Sequence, residues 1–216
     1  MNDNLLKSIL KPGGFLAAFA LLGTVALASA YSLTLPRIAA NERTATLTRL
    51  NALVSPSEYD NDLLNDQRVL PAAAFNSAEP VTVYLARKQN QPVAALFTVT
   101  PANGYSGKIR LVVAVRADQS VAGVRILSHK ETPGLGDKID VEKSDWITRF
   151  NGKSLQNPLL EGWAVRKDGG EFDQFTGATI TPRAVVGAVK NTLIWSQQHF
   201  NELFIAQPSR TTQESK

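Results

Sequence analysis

Residues 108–128 read Lys108-Ile109-Arg110-Leu111-Val112-Val113-Ala114-Val115-Arg116-Ala117-Asp118-Gln119-Ser120-Val121-Ala122-Gly123-Val124-Arg125-Ile126-Leu127-Ser128. Lys108 to Arg116 is rich in β-branched residues and almost continuously apolar, the signature of a strand buried in a sheet. The polar run Ala117-Asp118-Gln119-Ser120 turns the chain into a second strand, Val121 to Ser128. Upstream, Val81 to Ala86 alternates, Asn90-Gln91-Pro92 predicts a turn, and Val93 to Thr100 is again apolar and β-branched, which makes a second hairpin. Asn103-Gly104-Tyr105-Ser106-Gly107 reads as the loop between the two. The centre of the domain is therefore expected to be an antiparallel sheet.

Helices flank it. Downstream, Thr181-Pro182 offers an N-cap followed by proline at the first helical position, so a helix is predicted from Pro182 to about His199. Its inward face is Val185, Ala188, Val189, Thr192, Leu193 and Ser196. On the N-terminal side, Leu47, Leu50, Leu53 and Val54 recur at helical spacing until Ser55-Pro56 interrupts them. Further upstream, no charge occurs between Lys11 and Arg37, a stretch that as a helix rises roughly 37 Å and spans a bilayer. A signal peptide is the rival reading, with Ala28-Ser29-Ala30 as its cleavage site, but the apolar run continues through Tyr31, Leu33 and Leu35.

The fold class expected is α+β, with a single transmembrane helix followed by an antiparallel-sheet domain and packed helices. The expected divisions are a cytoplasmic tail at 1–11, the membrane helix at 12–36, a helical connector at 37–78, the domain at 79–205 and a disordered tail at 206–216. A long domain translocates largely regardless of flanking charge, which puts it on the outer side of the membrane.

Composition narrows the chemistry. The chain has 216 residues, a formal charge of +4 and no cysteine, so disulfides, iron–sulfur ligation and a lipoprotein anchor are excluded, and His129 and His199 alone make a zinc site a poor expectation. The basic residues are scattered and form no stripe interleaved with aromatics, so the membrane is expected as partner and nucleic acid is not.

Two motifs carry the functional reading. Asp173-Gln174-Phe175-Thr176-Gly177-Ala178-Thr179 ends on a hydroxyl with small neighbours, just before a helix start whose free N–H groups and dipole suit a phosphate. Threonine is a poor nucleophile and no base flanks it, so Thr179 reads as an acceptor modified by another enzyme. The pattern D-x-x-[ST]-G-A-[ST] arises by chance in about one chain of this length in a thousand. The second motif, Glu131-Thr132-Pro133-Gly134-Leu135-Gly136, directly follows the strand Val121 to Ser128 and has the make-up of a ligand loop. Each motif also has a plain reading, as a turn and helix cap or as an ordinary loop.

Together, with the 131–136 motif ahead of the 173–179 motif along the chain, they resemble the FMN-binding domain family with its covalent flavinylation motif. The resemblance implies that a flavin transferase installs one covalent FMN per chain as a phosphoester on Thr179, with Thr176, Gly177 and Ala178 around it. Asp173 would be the residue that the transferase recognises. Glu131, Thr132, Gly134, Leu135 and Gly136 would line the isoalloxazine ring. Lys167, ahead of Gly169-Gly170, is a weaker contact candidate whose alternative is a solvated loop lysine. Trp146 and Trp163 are expected in the core, and Asp137, Asp140 and Glu142 on a solvated face.

The resemblance further implies an electron-carrier subunit of an ion-translocating electron transport complex in the bacterial inner membrane. Its domain would be periplasmic, its partners would be other integral membrane subunits, and no residue would serve as catalytic acid or base. The other readings are the corresponding subunit of a sodium-translocating NADH:quinone oxidoreductase, a free-standing FMN reductase, and a cofactor-free scaffold.

Overall fold

The computed structural model describes residues 3–205, with side chains from residue 13 onward except those of residues 36, 39 and 42. The tail expected at 206–216 lies outside the described residues. The chain divides into two units, Met1–Thr46 and Leu47–Lys216. The first is helical: α1 begins at Asp3 and contains Gly13–Leu35, 23 exposed residues long and apolar enough to cross a bilayer.

The second unit opens with the end of α1, which closes at Asn51. The segment expected as a helical connector is thus helical only in its first part. Beyond it come a short strand β1 (Gln67–Leu70) and a 3-10 turn at Ala72–Phe75. The strands β2 (Val81–Lys88), β3 (Gln91–Val99), β4 (Arg110–Arg116) and β5 (Val121–Ser128) follow, and the five pair in sequence order, all antiparallel. The turn between β2 and β3 lies one residue earlier than expected, at Gln89 and Asn90, both at positive φ. This is the backbone of a two-residue turn matched to strand twist. Pro92 falls inside β3 beside a register shift opposite Ala86 and Arg87, a place where its missing N–H is tolerated.

Both faces of this sheet are covered, which explains the near-continuous apolar run of β4. Leu111, Val113 and Val115 join the larger core with Phe97, Trp146, Phe150, Trp163, Val185, Val189 and Leu193. Val112 and Ala114 point the other way, into a smaller core with Leu50, Leu53, Val54, Leu63 and Leu96. An antiparallel sheet usually leaves one face wet, whereas here the end of α1 and the chain that follows it cover the second face. Each fully buried Val or Leu contributes roughly 1.5–3 kcal/mol, so these strands are the stable centre of the unit.

The second helix, α2 (Ile180–Leu203), packs on the larger core, and all six residues predicted for its inward face are buried. It begins earlier than expected. Its N-cap position is Thr179, without a side-chain cap hydrogen bond, and Thr181 is already inside the helix. The expectation that Thr181 caps the helix is therefore corrected, because its hydroxyl has a different partner.

Candidate functional site

The segment leading into the 173–179 motif is set by aromatic packing. Phe172 lies 4.7 Å from Phe150 and 5.1 Å from Trp163 between ring centroids, and Phe175 lies 5.2 Å from Trp146. Backbone bonds from Arg166 N–H to the Phe172 carbonyl and from Phe172 N–H to the Ala164 carbonyl close the loop before it. That loop needs glycine at 170, where a Cβ would meet the Ala164 carbonyl oxygen at 2.0 Å. Both tryptophans are buried, and their N–H groups donate to backbone carbonyls of Asp173, Ser154 and Pro158, as core residues do.

Asp173 is held at both ends. Its carbonyl receives Trp146, and its carboxylate pairs with Arg149 and, at 2.9 Å, with Arg166. Phe175 to Ala178 then form a turn closed by the Ala178 N–H to the Phe175 carbonyl at 3.0 Å. Gly177 takes φ +80° at the third position, the geometry that favours glycine there. Thr176 is exposed at the turn, and Thr179, half-buried, follows it at the mouth of α2. Pro182 has no N–H, and the N–H groups of Ile180 and Thr181 have no backbone acceptor, the usual state of a helix start.

The second motif comes to the same place. After β5 the loop carries Thr132, Pro133, Gly134 and Leu135 on the surface, while Glu131 and Gly136 are buried. A Cβ on Gly177 would stand 3.6 Å from Leu135 Cδ2, so the two motifs lie side by side. Leu135 remains 42% exposed and Ile180, the residue after Thr179, 41% exposed, so the loop and the helix start both present apolar surface. Lys167 is exposed on the 3-10 turn Arg166–Asp168, whose Asp168 makes a two-point pair with Arg183 of α2 at 2.6 and 2.8 Å. The guanidinium holds the Asp168 carboxyl below its ordinary range.

Several residues that organise this site have no motif to announce them. Thr181 Oγ1 donates to Glu131 Oε2 at 2.5 Å, and Ser106 N–H donates to Glu131 Oε1 at 3.0 Å. Glu131 N–H donates to His129 Nδ1, which leaves the proton of a neutral ring on Nε2, facing Asp140 Oδ2 at 2.9 Å. Asp140 is thus a partner to the loop, and Asp137 is buried with Oδ1 unpaired, so only Glu142 of the three acids sits on a solvated face.

A single apolar N-terminal helix followed by a domain of this fold, with both motifs meeting at one surface, defines a class, and comparison with known proteins gives the same one. Residues 104–194 match the FMN-binding domain family, and residues 1–53 match the RnfG N-terminal region. The G subunit of the ion-translocating oxidoreductase complex of Pseudoalteromonas atlantica is 45% identical over 199 residues, covering 92% of this chain and 93% of the relative. The same subunit of Vibrio cholerae is 44% identical over 200 residues (92% and 95%), and that of Shewanella amazonensis 47% over 201 residues (92% and 93%). The chain belongs to the RnfG family, the G subunits of ion-translocating oxidoreductase complexes of the Rnf type.

Proposed function

We propose that this chain is the electron-carrier subunit of such a complex, holding one FMN as a phosphoester on Thr179 on the periplasmic side of the bacterial inner membrane. The observation that carries the reading is the meeting of the 131–136 loop with the 176–179 turn, through Leu135 and Gly177, beside a threonine whose hydroxyl caps nothing. The residues present fit the group. Thr179, half-buried, follows an exposed turn, the N–H groups of Ile180 and Thr181 after it have no backbone acceptor, and Leu135 and Ile180 present exposed apolar surface.

A flavin transferase would form the bond between Thr179 Oγ1 and the FMN phosphoryl group, drawing on FAD and releasing AMP. Bound flavin supplies the one- and two-electron chemistry. The chain's own part is positional. The helix start offers N–H groups and a positive dipole end to the phosphate, and Lys167, exposed on the 166–168 turn that Asp168 ties to Arg183 of α2, is a further candidate cation. Glu131, Thr132, Gly134, Leu135 and Gly136 shape the surface for the ring, with Thr176, Gly177 and Ala178 giving access to the acceptor. Asp173, fixed by two arginines, presents the motif to the transferase. Other integral membrane subunits of the complex are the partners between which electrons pass.

Produced with its transferase, the protein is expected to stay yellow and fluorescent after denaturation, and Thr179→Ala to abolish this. A colourless denatured chain despite an active transferase would overturn the carrier reading in favour of a scaffold. Retained fluorescence in Thr179→Ala moves the attachment elsewhere, first to Thr176. Asp173→Asn is expected to lower loading well beyond any loss of stability. Co-purification with polytopic subunits separates the carrier from a free-standing reductase. Protease added to intact spheroplasts should cut the domain, and protection would reverse the orientation.

A further inference from the structure

Glu131 gathers three segments that are distant in sequence. Its carboxylate accepts from Ser106 in the 104–108 loop at 3.0 Å and from Thr181 in the first turn of α2 at 2.5 Å, while its own N–H is held by His129. Glu131 is 4% exposed and Thr181 is 1% exposed, so neither has water as an alternative partner. Gly136 leaves the room that the bond occupies. A Cβ there would lie 3.0 Å from Thr181 Oγ1, 3.1 Å from Glu131 Oε2 and 2.9 Å from Glu131 Cβ. A threonine in the first turn of a helix ordinarily faces solvent or caps a free N–H. This one is turned inward, onto a carboxylate fifty positions earlier in the chain.

We propose that Thr181 is a positioning residue, a latch that holds the 131–136 loop in fixed register with the attachment point two residues before it. The inference rests on the reading of Thr179 as the flavin acceptor. A phosphoester tether followed by a ribityl chain has many rotatable bonds, so attachment alone leaves the ring free to sample many poses. Orientation must come from a surface that does not move relative to the tether. Thr181 and Glu131 supply that connection, because one belongs to the helix that starts at Thr179 and the other to the loop that would lie against the ring.

The test uses Thr181→Val, which keeps the shape and removes the donor, and Thr181→Ser, which keeps the donor. In the flavin-free Thr179→Ala chain, Thr181→Val should raise amide exchange at Ser106 and through 131–136 by about tenfold, the scale of one charge-assisted hydrogen bond, and leave β3 and β4 unchanged. Thr181→Ser should stay near the parent. Unchanged exchange in Thr181→Val overturns the latch without reference to flavin. In the loaded protein, Thr181→Val should keep its denaturation-resistant fluorescence, while the anisotropy of the native flavin falls and its midpoint potential shifts. Thr181→Ser should restore both. Unaltered anisotropy and potential overturn the positioning role, as does loss of covalent flavin in Thr181→Val, which would make Thr181 part of the transferase's recognition instead. A parent chain without denaturation-resistant flavin sinks the reading of Thr179, and the exchange result still decides the latch.

Discussion

The indole N–H of Trp146 donates to the carbonyl oxygen of Asp173 at 2.8 Å, so the first residue of the 173–179 motif is pinned through its backbone to the aromatic core. Replacing Trp146 by Phe keeps an aromatic ring beside Phe150 and Phe175 but strands that carbonyl. The expected cost is about 1–3 kcal/mol in denaturant unfolding, with the slope unchanged. A cost near zero would mean that ring packing alone holds the loop.

Thr179 should be dispensable for folding. A capping threonine replaced by alanine costs about 1 kcal/mol, but here the hydroxyl caps no N–H. Thr179→Ala should therefore unfold within about 0.5 kcal/mol of the parent when both are compared without flavin. A larger loss would show that the hydroxyl has a structural partner in solution.

The two motif glycines should fail for different reasons. Gly136→Ala forces a Cβ to about 3 Å from Glu131 and Thr181 and should cost about 1–3 kcal/mol by overpacking. Gly177→Ala meets only an ordinary 3.6 Å contact but must hold φ +80°, worth about 1–2 kcal/mol of backbone strain. Gly177→Asn, which tolerates that φ, should recover much of the loss, whereas Gly136→Asn should recover none; thermal unfolding of the four variants checks both.

Acid should slightly weaken the hold on the segment that follows α1. The Arg116 guanidinium, 2.5 Å from Glu58, holds that carboxyl below its ordinary range, against the opposing pull of burial and with help from the Ser55 N–H. Because the folded-state value is lowered, the stabilisation is complete at neutral pH and is lost as pH falls through and below the carboxylate range, under about pH 4. Both side chains are about one-third exposed, so the pair is worth roughly 0.3–1 kcal/mol. Glu58→Gln should be slightly less stable than the parent at pH 7 and converge with it as acid protonates the carboxyl. Parallel stability curves would remove the pair from the account.

Some of the site was visible only as composition. Asn-Gly-Tyr-Ser-Gly at 103–107 reads as a loop and nothing more, because the role of Ser106 lies in its backbone N–H, which any residue but proline would provide. The pairing of His129 with Asp140 has no signal in the sequence, since eleven positions separate them and they form no recognisable spacing. Strand β1 is four residues long with alternate residues half-exposed, and its place is set by its register on β2 and not by its own pattern.

What the sequence determined by itself was local. The strands of both hairpins, the apolar N-terminal helix, the inward face of α2 and the two motifs depend on neighbours a few residues away, through period, turn chemistry and propensity. What only the tertiary structure decided was long-range. The burial of both faces of the sheet, the true start of α2, and the convergence of Glu131, Gly136 and Thr181 depend on where the chain travels between them. Thr181 shows the reason. In sequence it is a good cap before a proline, worth a single local hydrogen bond, and in the fold a buried carboxylate that needs a donor outweighs that local preference.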